Sequence, residues 1–296
     1  MTTPEFTANR ENFCYRHPDR QSFVLCQRCL RTICPECQTQ GPVGVICPEC
    51  LKAQRKAETP AQRRARRQWG MSSAADGKPI VTYAIMAVTS LVSLIAMIPG
   101  IGTSITHALW FFAPNLYPNL FAGPFQPWGL LTTALVHGGF VHLALNMLAL
   151  WMIGRSLEPM LGRWRYLALY LISTLGGSVA VACIAPGSPT VGASGAIFGL
   201  MAALLIVGRH LGANVTGILV ILVINFAWGF TQGGTISWQA HLGGALVGAL
   251  VAFIYTRTKR PKQRGLQIAL LSAVVVGLLV IVAFVPPALI LAGVFA

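Results

Sequence analysis

Beyond residue 79 the chain is a succession of seven apolar segments, at about 80–98, 138–154, 166–184, 194–208, 215–230, 240–256 and 266–285. Several approach the roughly 20 residues a helix needs to cross a hydrocarbon core, although the fourth, fifth and sixth are shorter. Between Ile80 and Ala296 one acid, Glu158, stands against nine bases, while seven of the eight acids and 13 of the 22 bases precede residue 80. Charged residues are 10% of the whole chain, where a soluble domain carries about a quarter. That distribution describes a polar head joined to an all-α polytopic membrane domain.

The loops orient it. Arg155, Arg163 and Arg165 fall between segments two and three, Arg209 between four and five, and "TRTKRPKQR" (256–264) between six and seven. The stretches after segments one, three and five hold no Lys or Arg. All nine bases therefore share the side of the amino terminus, which the positive-inside rule makes cytoplasmic, with the carboxyl terminus outside. The run "RRARR" (63–67) fits the same flanking pattern. The basic excess is read as topology and contact with lipid headgroups, and no nucleic-acid partner is expected. No apolar stretch precedes residue 80, so no cleavable signal peptide is expected and the plasma membrane of a prokaryote is the expected location. The first outer loop, 99–137, carries Trp110, Phe111, Phe112, Tyr117, Phe121, Phe125 and Trp128. Pro114, Pro118, Pro124 and Pro127 forbid one continuous helix there, and the aromatics suit the outer interface.

The head divides as a tail (1–13), a metal module (14–50) and a basic linker (51–79), ahead of the membrane domain (80–296). The module supplies four pairs of ligands, each pair separated by two residues: Cys14 and His17, Cys26 and Cys29, Cys34 and Cys37, Cys47 and Cys50. That spacer lets both side chains of a pair reach one ion, and eight ligands fill two tetrahedral zinc sites. A disulfide framework does not suit a reducing compartment. So short a module buries little core, so two structural Zn2+ are expected to supply most of its folding energy. The arrangement resembles a B-box-type zinc finger, in which alternate pairs share an ion. The resemblance implies Cys14, His17, Cys34 and Cys37 on one ion and Cys26, Cys29, Cys47 and Cys50 on the other, with a structural role in binding a cytoplasmic protein partner. Cys183, alone in the third segment, reads as an apolar filler.

Polar groups inside the apolar segments need an explanation of their own. In "GASGAIFG" (192–199) Gly195 and Gly199 form a small-xxx-small pair for close helix packing, and Ser194 sits beside them. "HLALN" places His142 and Asn146 four apart on one helical face. "AHLGGALVG" puts His241 at the head of the sixth segment, with Gly244 and Gly248 clearing one face. Ser194 lies 15 residues from Arg209, His241 16 from Arg257 and His142 13 from Arg155. At about 1.5 Å per residue these three share a layer roughly 20–24 Å from the basic side, with Asn146 near 14 Å. A serine hydroxyl needs an adjacent base, which His241 can supply. Glu158 lies at the opposite end, so the pair would be a dyad without a carboxylate and without a catalytic cofactor. His142, Asn146 and the N–H groups at the start of the fourth helix could stabilise an oxyanion. Asn225 reads as an interhelical hydrogen bond, and His107 and His210 as surface or interfacial residues.

At this point the chain resembles the rhomboid intramembrane serine proteases. The matching stretches are "HGGFVHLALN" (137–146), "GRSLEPMLG" (154–162), "GASG" (192–195) and "AHLGGALVG" (240–248). They cover a six-helix core over about 80–256, and the seventh segment is similar to the extra C-terminal helix of some rhomboids. The resemblance implies nucleophile Ser194, base His241, an oxyanion hole of His142, Asn146 and Gly192, and Phe198 stacked on the catalytic imidazole. It implies that His137 supports the first outer loop, that Glu158 bonds the cytoplasmic loop, and that Gly233 and Gly234 hinge a cap. Many rhomboids have Trp-Arg where this chain has Trp128-Gly129, which leaves the order of the first outer loop open. The implied substrates are single-span membrane proteins. A helical span hides its carbonyls in its own hydrogen bonds, so cleavage requires unwinding and small or helix-weakening residues near the scissile bond. The alternative is an inactive relative that binds membrane clients as an adaptor, against which the intact Ser194 and His241 argue. A transporter lacks its ionisable pathway here.

Overall fold

The computed structural model describes residues 10–40, 44–57, 78–213, 215–231 and 236–293. The run 63–67, most of the linker, and Gly233 and Gly234 lie outside the described residues. The chain divides into two compact units, Met1–Gly77 and Lys78–Ala296.

The first unit is built from tight turns. Antiparallel bridges join Phe13 to Gln21 and Leu25 to Thr32. Strand β1 (Thr39–Gln40) pairs with β2 (Val45–Ile46), and helix α1 (Pro48–Ala57) follows. Among its described residues, Ile33 is the one fully buried apolar side chain that is not a cysteine. The buried cluster of these described residues is made of cysteines around Ile33.

The second unit is helical. Its spans are α2 (Ile80–Ala96), then, after the outer-loop helices α3 (Gly102–Leu109) and α4 (Gly129–Thr132), α5 (Phe140–Leu161), α6 (Arg163–Ile184), α7 (Ser194–His210), α8 (Thr216–Thr231), α9 (Trp238–Arg257) and α10 (Arg264–Leu291). By length and apolarity α5, α6, α9 and α10 are long enough to cross a membrane, and α2, α7 and α8 are shorter apolar helices. Two boundaries differ from the apolar pattern. Helix α5 runs past Arg155 and Glu158, because backbone hydrogen bonding continues after apolarity stops, and it turns into α6 through Gly162 alone, at φ +82°. A single-residue corner of that kind suits glycine. Helix α10 runs through Pro286 and Pro287 instead of ending before them. Pro286 has no N–H for the carbonyl of Val282, and the Tyr117 hydroxyl donates to that carbonyl at 2.5 Å.

Helices α7, α9 and α6 form the packed centre. A Cβ added at Gly244 of α9 would lie 2.0 Å from the Gly195 carbonyl of α7, and one at Gly248 would lie 2.4 Å from Gly199. The two small-residue pairs therefore mesh backbone against backbone, as their spacing predicts. Gly177 of α6 meets the Ala240 carbonyl of α9 in the same manner, at 2.9 Å from an added Cβ, whereas one at Gly176 would meet the Val247 side chain at 2.5 Å.

Glu158 is buried, yet it does not bond the loop beside it. Its carboxylate accepts from the N–H groups of Val81 (3.0 Å) and Thr82 (2.8 Å) and from the Thr82 hydroxyl (2.8 Å). It thus caps the positive end of α2, where a carboxylate is favoured and free N–H groups need an acceptor. In the outer loop, a Cβ at Gly129 would meet the Trp110 carbonyl at 2.6 Å. This loop is ordered by backbone contact, with Trp128 Nε1 donating to the Ala108 carbonyl at 2.7 Å. Cys183 is half-buried beside the Phe111 cluster, His107 leans on the Trp110 ring, and His210 meets Lys259.

Candidate active site and metal clusters

Ser194 is the first residue of α7, following Gly192 at φ +120° and Ala193. The positive φ turns the chain sharply into the helix, a geometry suited to glycine. At a helix start the first N–H groups lack intrahelical acceptors. Those of Gly192 and Ala193 are taken: Gly192 donates to the Thr133 carbonyl at 2.9 Å and Ala193 to His137 Nε2 at 3.3 Å. Ser194 N–H follows these two as the first N–H of α7 itself.

From α9, His241 Nε2 lies 2.9 Å from Ser194 Oγ. The imidazole is 6% exposed and stacks on Phe198, with centroids 4.1 Å apart and planes 8° from parallel. Its Nδ1 has no hydrogen-bond partner among the described residues. To act as a base on the hydroxyl, the ring must carry its proton at Nδ1 and offer the Nε2 lone pair to Ser194 Oγ. A Cβ placed on Gly192 would lie 2.9 Å from His142 Nε2 and 3.8 Å from Ser194 Oγ, so Gly192 keeps the space between them open. Asn146 donates Nδ2 to the His142 carbonyl at 2.9 Å. One N–H of its amide is therefore engaged and the second is available. Beside Ser194 a hollow is walled by Thr133, Thr174, Ser178, Thr190, Gly192 and Ala240.

Two supports were not legible in the site motifs. The Ser93 hydroxyl donates to the Leu135 carbonyl at 2.8 Å and lies 2.9 Å from His137 Nδ1. That requires N–H at Nδ1 and a lone pair at Nε2, which receives Ala193 N–H. His137 thus links α2 to the residue before Ser194, a role beyond supporting the outer loop. Thr133, donating to the Thr190 carbonyl at 2.7 Å, braces the other side of the turn. The signal for α2's part is the buried stripe Thr82, Thr89 and Ser93, hydroxyls on one helical face.

The chain matches the Rhomboid domain family over residues 124–258. YdcA of Bacillus subtilis (strain 168), whose name places it among the rhomboid proteases, is 30% identical over 186 residues, 61% of this chain and 90% of that protein. The chain belongs to the rhomboid family. Rhomboid protease GluP of the same bacterium is 36% identical over 214 residues, 69% of this chain and 41% of that protein. RHOMBOID-like protein 5 of Arabidopsis thaliana is 41% identical over 140 residues, 44% of each chain. This rhomboid therefore spans less than half the length of the first relatives it matches. It is a multi-pass membrane protein with a helical rhomboid fold and a small Cys/His module at its amino-terminal side.

That module gathers Cys14, His17, Cys34 and Cys37 in one cluster and Cys26, Cys29, Cys47 and Cys50 in a second, the ligand atoms of each within 4.8 Å of one another. Alternate pairs meet, as the B-box resemblance implies. Tetrahedral donors about 2.3 Å (S) and about 2.05 Å (N) from zinc stand about 3.8 Å apart for S–S and about 3.5 Å for N–S. His17 Nδ1 lies 3.8, 3.3 and 3.4 Å from the sulfurs of Cys14, Cys34 and Cys37, and Cys29 and Cys47 sulfurs are 3.7 Å apart. Such spacings fit one tetrahedral cation per cluster and exclude a disulfide. Burial and crowding by Cys14 and Cys34 push the Cys37 thiol up to about 11. Burial, with Cys47, Cys29 and Cys26 alongside, pushes Cys50 up to about 12. Sulfurs this close cannot all ionise without a cation among them.

Proposed function

We propose that this rhomboid is an intramembrane serine endopeptidase working with a Ser194–His241 dyad, and that its substrates are membrane-spanning proteins. The observation that carries the reading is the 2.9 Å hydrogen bond between Ser194 Oγ on α7 and His241 Nε2 on α9. Nucleophile and base meet within hydrogen-bond reach inside apolar helices.

Ser194 Oγ attacks the peptide carbonyl as its proton passes to His241 Nε2. The oxyanion is met by Ser194 N–H, by His142 and by the second amide N–H of Asn146, with Gly192 leaving the space. The tetrahedral intermediate collapses, the C–N bond breaks, and Nε2–H gives its proton to the departing amine. Water entering beside Ser194 then gives a proton to Nε2 as its oxygen attacks the acyl carbon. This second tetrahedral intermediate collapses, the C–Oγ bond breaks, and Nε2–H returns the proton to Ser194 Oγ. No metal takes part in these steps. The head is proposed to hold two structural Zn2+ on the cytoplasmic side of a plasma membrane and to bind a cytoplasmic protein there; the donor spacings and the single-sided bases support that placement.

A fluorophosphonate probe tests the dyad. Labelling of the parent and none of Ser194→Ala or His241→Ala is the expected result. No labelling of well-folded parent protein would leave a client-binding adaptor as the function.

A further inference from the structure

Asn225 stands in the middle of α8 and faces outward. An interhelical hydrogen bond is the ordinary reason for such a residue in a span, and the structure does not provide one. Its side chain is exposed, and its one hydrogen bond among the described residues runs from Nδ2 to the Ile221 carbonyl of its own helix, at 2.8 Å. A primary amide has a second N–H and a carbonyl oxygen, and both are costly to leave bare against hydrocarbon.

Its place on the helix is informative. The inward stripe of α8 is Ile218, Leu222, Phe226 and Gly229, and a Cβ at Gly229 would sit 3.3 Å from His241 Nδ1. Four residues separate Gly229 from Asn225, which puts them about 40° apart around the helix and about 6 Å apart along it. The amide therefore marks the margin between the buried stripe and lipid, one turn from the contact with the base, toward the end of α8 that follows Arg209.

We propose that Asn225 is a specificity contact for the span being cleaved. It hydrogen-bonds a polar side chain of that span, about one turn from the scissile bond on the basic side. A polar side chain in a span lacks partners in hydrocarbon, and an amide with a spare N–H and a spare carbonyl oxygen is its complement. A second copy of the chain is the less suited occupant, since the amide lies one turn from the Gly229 contact with His241. This inference rests on the proteolytic reading above.

The test uses the full chain in proteoliposomes with two synthetic single-span peptides. Each is polyleucine with Ala-Gly at the cleaved bond, carrying either Gln or Leu four residues toward the basic side. Asn225→Leu should label with fluorophosphonate at the parental rate and cleave the Leu peptide as the parent does. It should lose roughly threefold to tenfold in kcat/KM on the Gln peptide, carried by KM, with partial recovery in Asn225→Gln. Unchanged cleavage of the Gln peptide with labelling intact overturns the inference and leaves the protease standing. A change in dimer fraction without peptide discrimination assigns the residue to a second copy and overturns it as well. Absence of labelling in the parent removes the proteolytic reading itself, and this inference with it.

Discussion

The metal module and the α7–α9 centre hold their key atoms by opposite means. In the module, ligand side chains surround a point, and among the described residues Ile33 is the lone buried apolar residue that is not a cysteine. In the membrane unit, side chains are removed: Gly195, Gly199, Gly244 and Gly248 bring two backbones together until Ser194 and His241 meet. One region should fail when an ion is taken away, the other when an atom is added.

Metal removal is the largest effect expected. Structural zinc contributes on the order of 10 kcal/mol to small modules, far more than one buried isoleucine supplies. A strong chelator should unfold the module and expose its seven cysteines to maleimide, while fluorophosphonate labelling of Ser194 persists. Loss of helical signal across the chain would show that the two regions do not stand on separate supports.

Next in size is Gly244→Val. Its Cβ would already lie 2.0 Å from the Gly195 carbonyl, and a backbone atom cannot swing away as a side chain can. The helices must part, at a cost of about 3 kcal/mol or more, and labelling at Ser194 should be lost. Gly217→Ala on α8 and Gly277→Ala on α10, where a Cβ meets nothing within 4 Å, should be neutral or slightly stabilising. Equal damage at all three positions would deny that clearance is what Gly244 provides.

The same contrast explains what could be read from sequence. The ligand pairs and the small-residue pairs lie three or four residues apart, so local spacing carries their geometry. Glu158 was legible as a structural acid but not as the cap of α2, because its partners Val81 and Thr82 lie in another helix, far back along the chain. The outward amide of Asn225 was hidden for a related reason: α8 is apolar on every side, so periodicity could not say which face is buried. The role of Gly129 is set by the Trp110 carbonyl seen against it, a partner that lies outside its own motif.

Below both in size is the cap on α2. Glu158→Ala strips three donors of a charged acceptor, each worth about 1.5–3 kcal/mol singly and not additive. A loss of about 2–3 kcal/mol in detergent unfolding is expected, with Glu158→Gln intermediate. If Glu158→Ala unfolds like the parent, water or lipid headgroups serve α2 as well as the carboxylate does.

The smallest effect concerns α10, which is largely exposed and is tied near Gln267 by Arg165 and Thr258. A further hydrogen bond to it is that of Tyr117 on the Val282 carbonyl. Tyr117→Phe should cost about 1 kcal/mol by leaving that carbonyl unpaired. The cost should arise because residue 286 is proline. Pro286→Ala supplies the missing N–H, so Tyr117→Phe in that background should be close to neutral. A double-mutant cycle in micelles measures the coupling. Additive losses would mean that the tyrosine holds α10 by packing alone, whereas a coupling near the full single-mutant value ties the outer loop to the helix through one orphaned carbonyl.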